Sequence, residues 1–204
     1  MLKDDLLLDS ARTPRDTENT DKGCPKSTST GVLLSWYALR VSYSRELKIQ
    51  AHLREMGIRT FVPMMWRKKV VDGQQQKKLV PAVNNLCFVQ WTREGIENYI
   101  RMFGDKSPVH FYWDRTSSSR LVVPEKAMED FIKVSSSMDE DLIYLTEISE
   151  KLREGQTVKI KEGAFAGVEG KVVRIKKSRR ILVELPGMLA VATTYVSPSM
   201  LEII

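Results

Sequence analysis

Residues 139–150 divide this chain into two stretches with different hydrophobic patterns. They contain five acids and no base. Before them, apolar residues recur both in short runs and at helical spacing. After them, only short runs remain, separated by Gly, Pro or charged turns. A strand repeats every two residues and a helix every 3.6, so the two stretches call for different architectures. The expected organisation is a disordered tail over residues 1–34, a domain over 35–138, an acidic linker over 139–150 and a small domain over 151–204.

In the first domain "WYALRV" (36–41) reads as a strand. In the segment after it, Ile49, His52, Leu53 and Met56 fall on one helical face. Ser44 is the expected N-cap and Gly57 the expected stop. "RTFVPMMW" reads as a strand in which Pro63 marks an edge or bulge. "RKKVVDGQQQKKLV" reads as a hairpin turning at Asp72-Gly73, and "NLCFVQW" as a buried strand. Ile96, Tyr99, Ile100 and Phe103 mark a second helix, with Thr92 as its cap and Gly104 as its stop. "VHFYWDR" is a strand, and "VPEKAMEDFIKVSSS" a third helix with Pro124 in its first turn and Met128, Phe131 and Ile132 inward. Helices laid on a largely antiparallel sheet make this an α+β fold. Beyond the linker, "TVKIK", "GKVVRIK", "ILVEL" and "MLAVAT" read as the short strands of a small barrel.

Charge is distributed unevenly. The formal net charge is +6. Residues 1–34 carry −1, residues 35–138 carry +7 and residues 151–204 carry +5. Two basic modules suit an anionic partner. Cys24 and Cys87 form neither a disulfide framework nor a metal-ligand spacing. The expected compartment is the cytoplasm: no run approaches a membrane span, and the N-terminal stretch lacks the pattern of a signal peptide.

His52 and His110 lie near no nucleophile motif and read as structural, and no metal-ligand cluster stands out, so the chain reads as a non-enzyme without cofactor or metal. "EGAFAGVEG" has three glycines but is followed by strand-like "KVVRI", whereas a nucleotide loop needs a helix there. Phe165, at the tip of that loop, is either a plug for one end of the barrel or an exposed anchor for a protein partner. Arg67, Lys68 and Lys69, with Lys77 and Lys78 across the hairpin, suit phosphate contacts, and Arg45 and Lys48 add charge at the first helix. Lys176, Lys177, Arg179 and Arg180 form a second basic turn.

"WYALRV", a helix, "TFVPMM", a basic hairpin and "NNLCFVQW" resemble the N-terminal domain of NusG-type transcription elongation factors. "GQTVKIKEGAFAGVEGKVVRI" resembles their KOW domain, and the likeness runs over about residues 36–204. "LRVSYSRELK", "LVPAVNNLCFV", "MEDFIKV" and "AVATTYVSPSMLE" are similar to the specialised UpxY paralogues, which act in bacterial operons for surface polysaccharide synthesis. The resemblance implies an N-terminal NGN domain, an SH3-like KOW β-barrel and a monomer without membrane contact. It implies antitermination by binding the clamp helices of RNA polymerase, through an apolar depression holding Tyr37, Val62, Leu86 and Phe88. It also implies contact with DNA or nascent RNA through Arg45, Lys48, Arg67, Lys68 and Lys69. The loop aromatic matching Phe165 implies a contact with a small-subunit ribosomal protein or with termination factor Rho. Where much of the family has Pro-Gly-Tyr or Pro-Asn-Tyr, this chain has Asn84-Asn85-Leu86, which lacks the ring and hydroxyl. The competing reading is an RNA-binding or ribosome-associated protein in which the KOW barrel does the main work.

Overall fold

The computed structural model describes residues 33–71, 74–114, 118–147, 152 and 155–204. Most of the tail 1–34 and the turn expected at Asp72-Gly73 lie outside these residues. The first half runs β1 (Ser35–Val41), α1 (Glu46–Glu55), β2 (Arg59–Phe61), β3 (Met64–Val71), β4 (Gln74–Pro81), β5 (Leu86–Trp91), α2 (Arg93–Arg101), β6 (Val109–Phe111), β7 (Trp113–Asp114), β8 (Ser119–Arg120), β9 (Val122–Val123) and α3 (Glu125–Ser135). Among the described residues the second half is mainly strands, with one 3-10 turn at Pro198–Met200: β10 (Ile143–Leu145), β11 (Thr157–Ile160), β12 (Glu169–Ile175), β13 (Ser178–Leu185), β14 (Leu189–Ala192) and β15 (Leu201–Ile203).

The first sheet is antiparallel in the order β2-β5-β1-β6, with β9 also on β1. Its strands alternate between two cores, because successive side chains point to opposite faces. Tyr37, Leu39, Val41, Cys87 and Val89 face α1 and α2, where they meet Ile49, Leu53, Ile96 and Tyr99. Trp36, Ala38, Leu86 and Phe88 face α3 with its Met128, Phe131 and Val134. Burial pushes the Cys87 thiol up to about 12.

Local signals account for most boundaries. Thr92 caps α2 by accepting a hydrogen bond from the Gly95 N–H at 3.0 Å. Gly57 follows the end of α1 in the left-handed region, as expected of a C-terminal glycine. The start of α1 differs from expectation. Its cap position is Arg45, without a side-chain cap bond. Ser44 lies in the left-handed region, and its N–H donates to Asn85 Oδ1 at 3.2 Å. Asn85 is itself left-handed, a conformation Asn tolerates better than most residues. Pro63 separates β2 from β3, which leaves the main sheet and pairs only with β4. Pro124 precedes α3 as its cap residue and does not sit in its first turn.

The second sheet has the order β10-β14-β13-β12-β11-β15, antiparallel throughout. Its β10 comes from residues read as part of the linker, and β15 extends the opposite edge. Gly170 is required by packing: a Cβ there would meet the Leu182 carbonyl oxygen at 2.5 Å.

The halves are packed together. Val158, Ile160, Val168, Ile181, Val183 and Leu185 of the barrel belong to the same core as Phe88 and Phe131. Phe131 is central to it, edge-to-face with Phe61, Phe88 and Tyr144 at centroid distances of 6.2, 5.9 and 6.3 Å.

Candidate functional site

The basic hairpin is a two-stranded ribbon of β3 and β4 with its own register. Arg67 pairs with Lys78 and Lys68 with Lys77, so like charges stand directly opposite on both faces. Such pairs destabilise an isolated ribbon. All five cations, Lys69 included, are exposed, and Lys77 forms an ion pair with Glu140. Tyr144 ties the base of the ribbon to the second sheet by donating from its hydroxyl to the Met64 carbonyl at 3.3 Å.

Arg45 and Lys48 lie at the start of α1, away from that ribbon in the chain. The Arg45 guanidinium sits 5.5 Å from the centroid of Tyr43, an exposed ring on a left-handed backbone. Composition alone does not flag Tyr43, whose exposure follows from the turn that leads into α1. Lys48 is exposed on the helix surface.

The four apolar candidates do not share one surface. Tyr37 and Val62 belong to the core under α1 and α2. Leu86 and Phe88 belong to the core under α3 and the barrel. All four are buried, and Tyr37 is the most exposed at 8%. Tyr37 packs edge-to-face on Phe111 at 5.6 Å.

Phe165 is half-buried against the shared core. Its loop is held to α3 by two lysines. Lys133 donates to the Ala166 carbonyl, and Lys126 to the Gly167 carbonyl at 3.0 Å. Asp130, buried between them, accepts from Lys126 and, at 3.1 Å, from the Glu169 N–H. The i,i+4 spacing of Lys126 and Asp130 is visible in the sequence and marks a helix ion pair. Their reach across to the barrel is not visible there.

His52 and His110 serve different surroundings. His52 Nδ1 lies 2.9 Å from the Tyr99 hydroxyl, whose own ionisation burial makes harder. His110 is exposed in β6. Nearby, Glu97 meets Arg93, Arg101 and Arg120. Its hydrogen bond from Arg93 first, and the charge of Arg120 next, hold its carboxyl below the usual value. The second basic turn also divides: Lys176, Lys177 and Arg179 are exposed, whereas Arg180 is buried and donates to the Asp141 and Thr193 carbonyls at 2.6 and 2.8 Å.

Residues 34–132 match the family described as "Transcription termination factor nusG", and residues 154–184 match the KOW motif. No curated protein matches the chain. A solved structure described as "Domain interaction in Thermotoga maritima NusG" is similar at 17% identity and a TM-score of 0.43, over 84% of this chain and 98% of that one. The NusG-like segment thus falls on the α+β half and the KOW-like segment on the half built mainly of strands, in that order along the chain.

Proposed function

We propose that this protein is a specialised transcription antitermination and elongation factor. It binds the clamp helices of RNA polymerase and promotes processive transcription of a target operon, one for capsular or other surface polysaccharide synthesis. The NusG and KOW matches support a transcription role. The likeness of "LRVSYSRELK" and "AVATTYVSPSMLE" to the UpxY subgroup supports the choice of operon.

The observation that carries the reading is the β3–β4 ribbon. Its opposed cations, Arg67 with Lys78 and Lys68 with Lys77, cost folding stability that Glu140 offsets at Lys77, and a further anion beside them would offset the rest. On a polymerase-bound factor that anion is the DNA or nascent RNA of the elongation complex, with Lys69, Arg45 and Lys48 adding to the contact. Docking on the clamp uses the apolar face holding Leu86 and Phe88, with Tyr37 and Val62 supporting the sheet from behind. Because that face lies under α3 and the barrel, docking requires this cover to move off. Separation of the barrel from α3, to which Lys126 and Lys133 tie the Phe165 loop, also frees Phe165 for a ribosomal protein or Rho.

The test is co-purification of RNA polymerase with the tagged full-length chain, native and with Lys126→Ala and Lys133→Ala. The reading expects polymerase with both chains, and more with the double variant, since it lacks the cross-domain lysine bonds. Recovery of no polymerase with either chain refutes it.

A further inference from the structure

We propose that the tip of the β12–β13 hairpin, together with Tyr195, is a binding site for single-stranded nucleic acid on the second domain. The site does not rest on the polymerase reading. Lys176 and Lys177 form the two-residue turn between Ile175 and Ser178, with φ of 49° and 64°. Turns of this hand favour Asn-Gly, because other residues crowd their own backbone at positive φ. Immediately below the turn, Arg174 stands directly opposite Arg179. Like charges in that position repel. The hairpin therefore accepts both an unfavourable turn sequence and a repulsive pair, and neither serves the core, since all four side chains are exposed. Arg180, the next residue, shows how this barrel treats a structural cation: it buries it against backbone carbonyls.

Arg174, Lys176, Lys177 and Arg179 line a shallow concavity with Ser178, Pro198 and Tyr195. No acidic residue lines it among the described residues. Tyr195 is 63% exposed, so most of its ring is available to a ligand. A row of cations beside a free aromatic ring fits an anionic backbone carrying flat bases: phosphates meet the cations and a base stacks on the ring. In a duplex the base faces are already stacked, so the matching ligand is a single strand. The concavity is open while the Phe165 loop is packed on α3, so binding here does not require the domains to separate.

The experiment uses the full-length chain carrying Arg67→Ala, Lys68→Ala, Lys69→Ala, Lys77→Ala and Lys78→Ala, which removes the cations of the other basic hairpin. Fluorescence anisotropy with labelled oligo(U) RNA, oligo(dT) DNA and a DNA duplex, each ~12 nucleotides long to match one small barrel, is read across a salt series. Either single strand should bind more tightly than the duplex, and the RNA and DNA arms tell which strand is preferred. Arg174→Ala with Arg179→Ala should weaken binding and lower the salt slope by ~1.4, from about 0.7 per lost phosphate contact. Tyr195→Ala should weaken it roughly 5- to 150-fold, the range for one lost stacked base, and Tyr195→Phe should restore it. Circular dichroism of each variant separates loss of binding from loss of fold. Equal binding of the duplex, affinity indifferent to the arginine pair or to Tyr195, or full competition by polyglutamate would each overturn the proposal. Polymerase recovery in the co-purification should be unaffected by Arg174→Ala, Arg179→Ala or Tyr195→Ala placed in the otherwise native chain, so the two readings fail separately.

Discussion

Tyr37, Leu39 and Val41 alternate along β1 with Trp36 and Ala38, yet the two sets end in different kinds of core. The first set packs against α1 and α2 and is completed within one domain. The second packs against α3 and is completed by strands from the other domain. One strand thus contributes to a private core and a shared one. The difference teaches where the molecule can open: a face completed by another domain can lose its cover as a unit, whereas the private face opens only by unfolding its own helices.

The largest effect separates the two cores. Phe131→Ala should cost ~3–5 kcal/mol, the usual range for a fully buried Phe. In a urea titration both domains should lose stability together. Leu53→Ala, in the private core, should cost ~2–5 kcal/mol, with the loss confined to the first domain's amide-exchange protection. If Leu53→Ala also unprotects β13, the two cores are a single unit and the contrast fails.

A second prediction concerns the private core alone. In a Cys24→Ser background, Cys87 should resist iodoacetamide at pH 8 and react only on unfolding. Its thiol is held up at about 12 by burial, and the thiolate is the nucleophile. Above the ordinary thiol value of 9.0 the unfolded chain releases a proton that the folded chain keeps, so this group's contribution falls as pH rises toward about 12. Rapid labelling of the native protein would show that this core breathes as freely as the shared one.

The smallest effect tests the open ribbon. Lys78→Glu turns the Arg67 pair from repulsive to attractive and should raise ribbon stability by ~0.2–1 kcal/mol. Nucleic-acid affinity should fall at the same time. Unchanged affinity in an anisotropy titration would mean that the opposed cations serve no anion.

Much of the fold was legible before any coordinates. The 3.6-residue spacing of Ile49, Leu53, Ile96 and Tyr99 marked the helices, and Thr92 and Gly57 marked ends that the structure retains. Ser44 misled because its backbone is turned left-handed and given to Asn85, a partner 41 residues away that helix-cap preferences do not register. The strand β10 is not legible in the sequence, because three residues beside a run of acids carry no distinctive alternation. The basic hairpin was legible as composition, but its opposed pairs appeared only with the register.

By itself the sequence determined the elements, the split of charge, the order of the two domains and the alternation that gives each strand two faces. Spacing along a chain is enough for these, because helix and strand periods are local properties. Only the tertiary structure decided what covers each face. It set Leu86 and Phe88 under α3 and the barrel, drew Phe165 into the shared core, and left Tyr195 exposed beside four cations. Those outcomes depend on which distant surface satisfies an apolar face or a backbone carbonyl, and periodicity specifies that a face must be covered without specifying its cover.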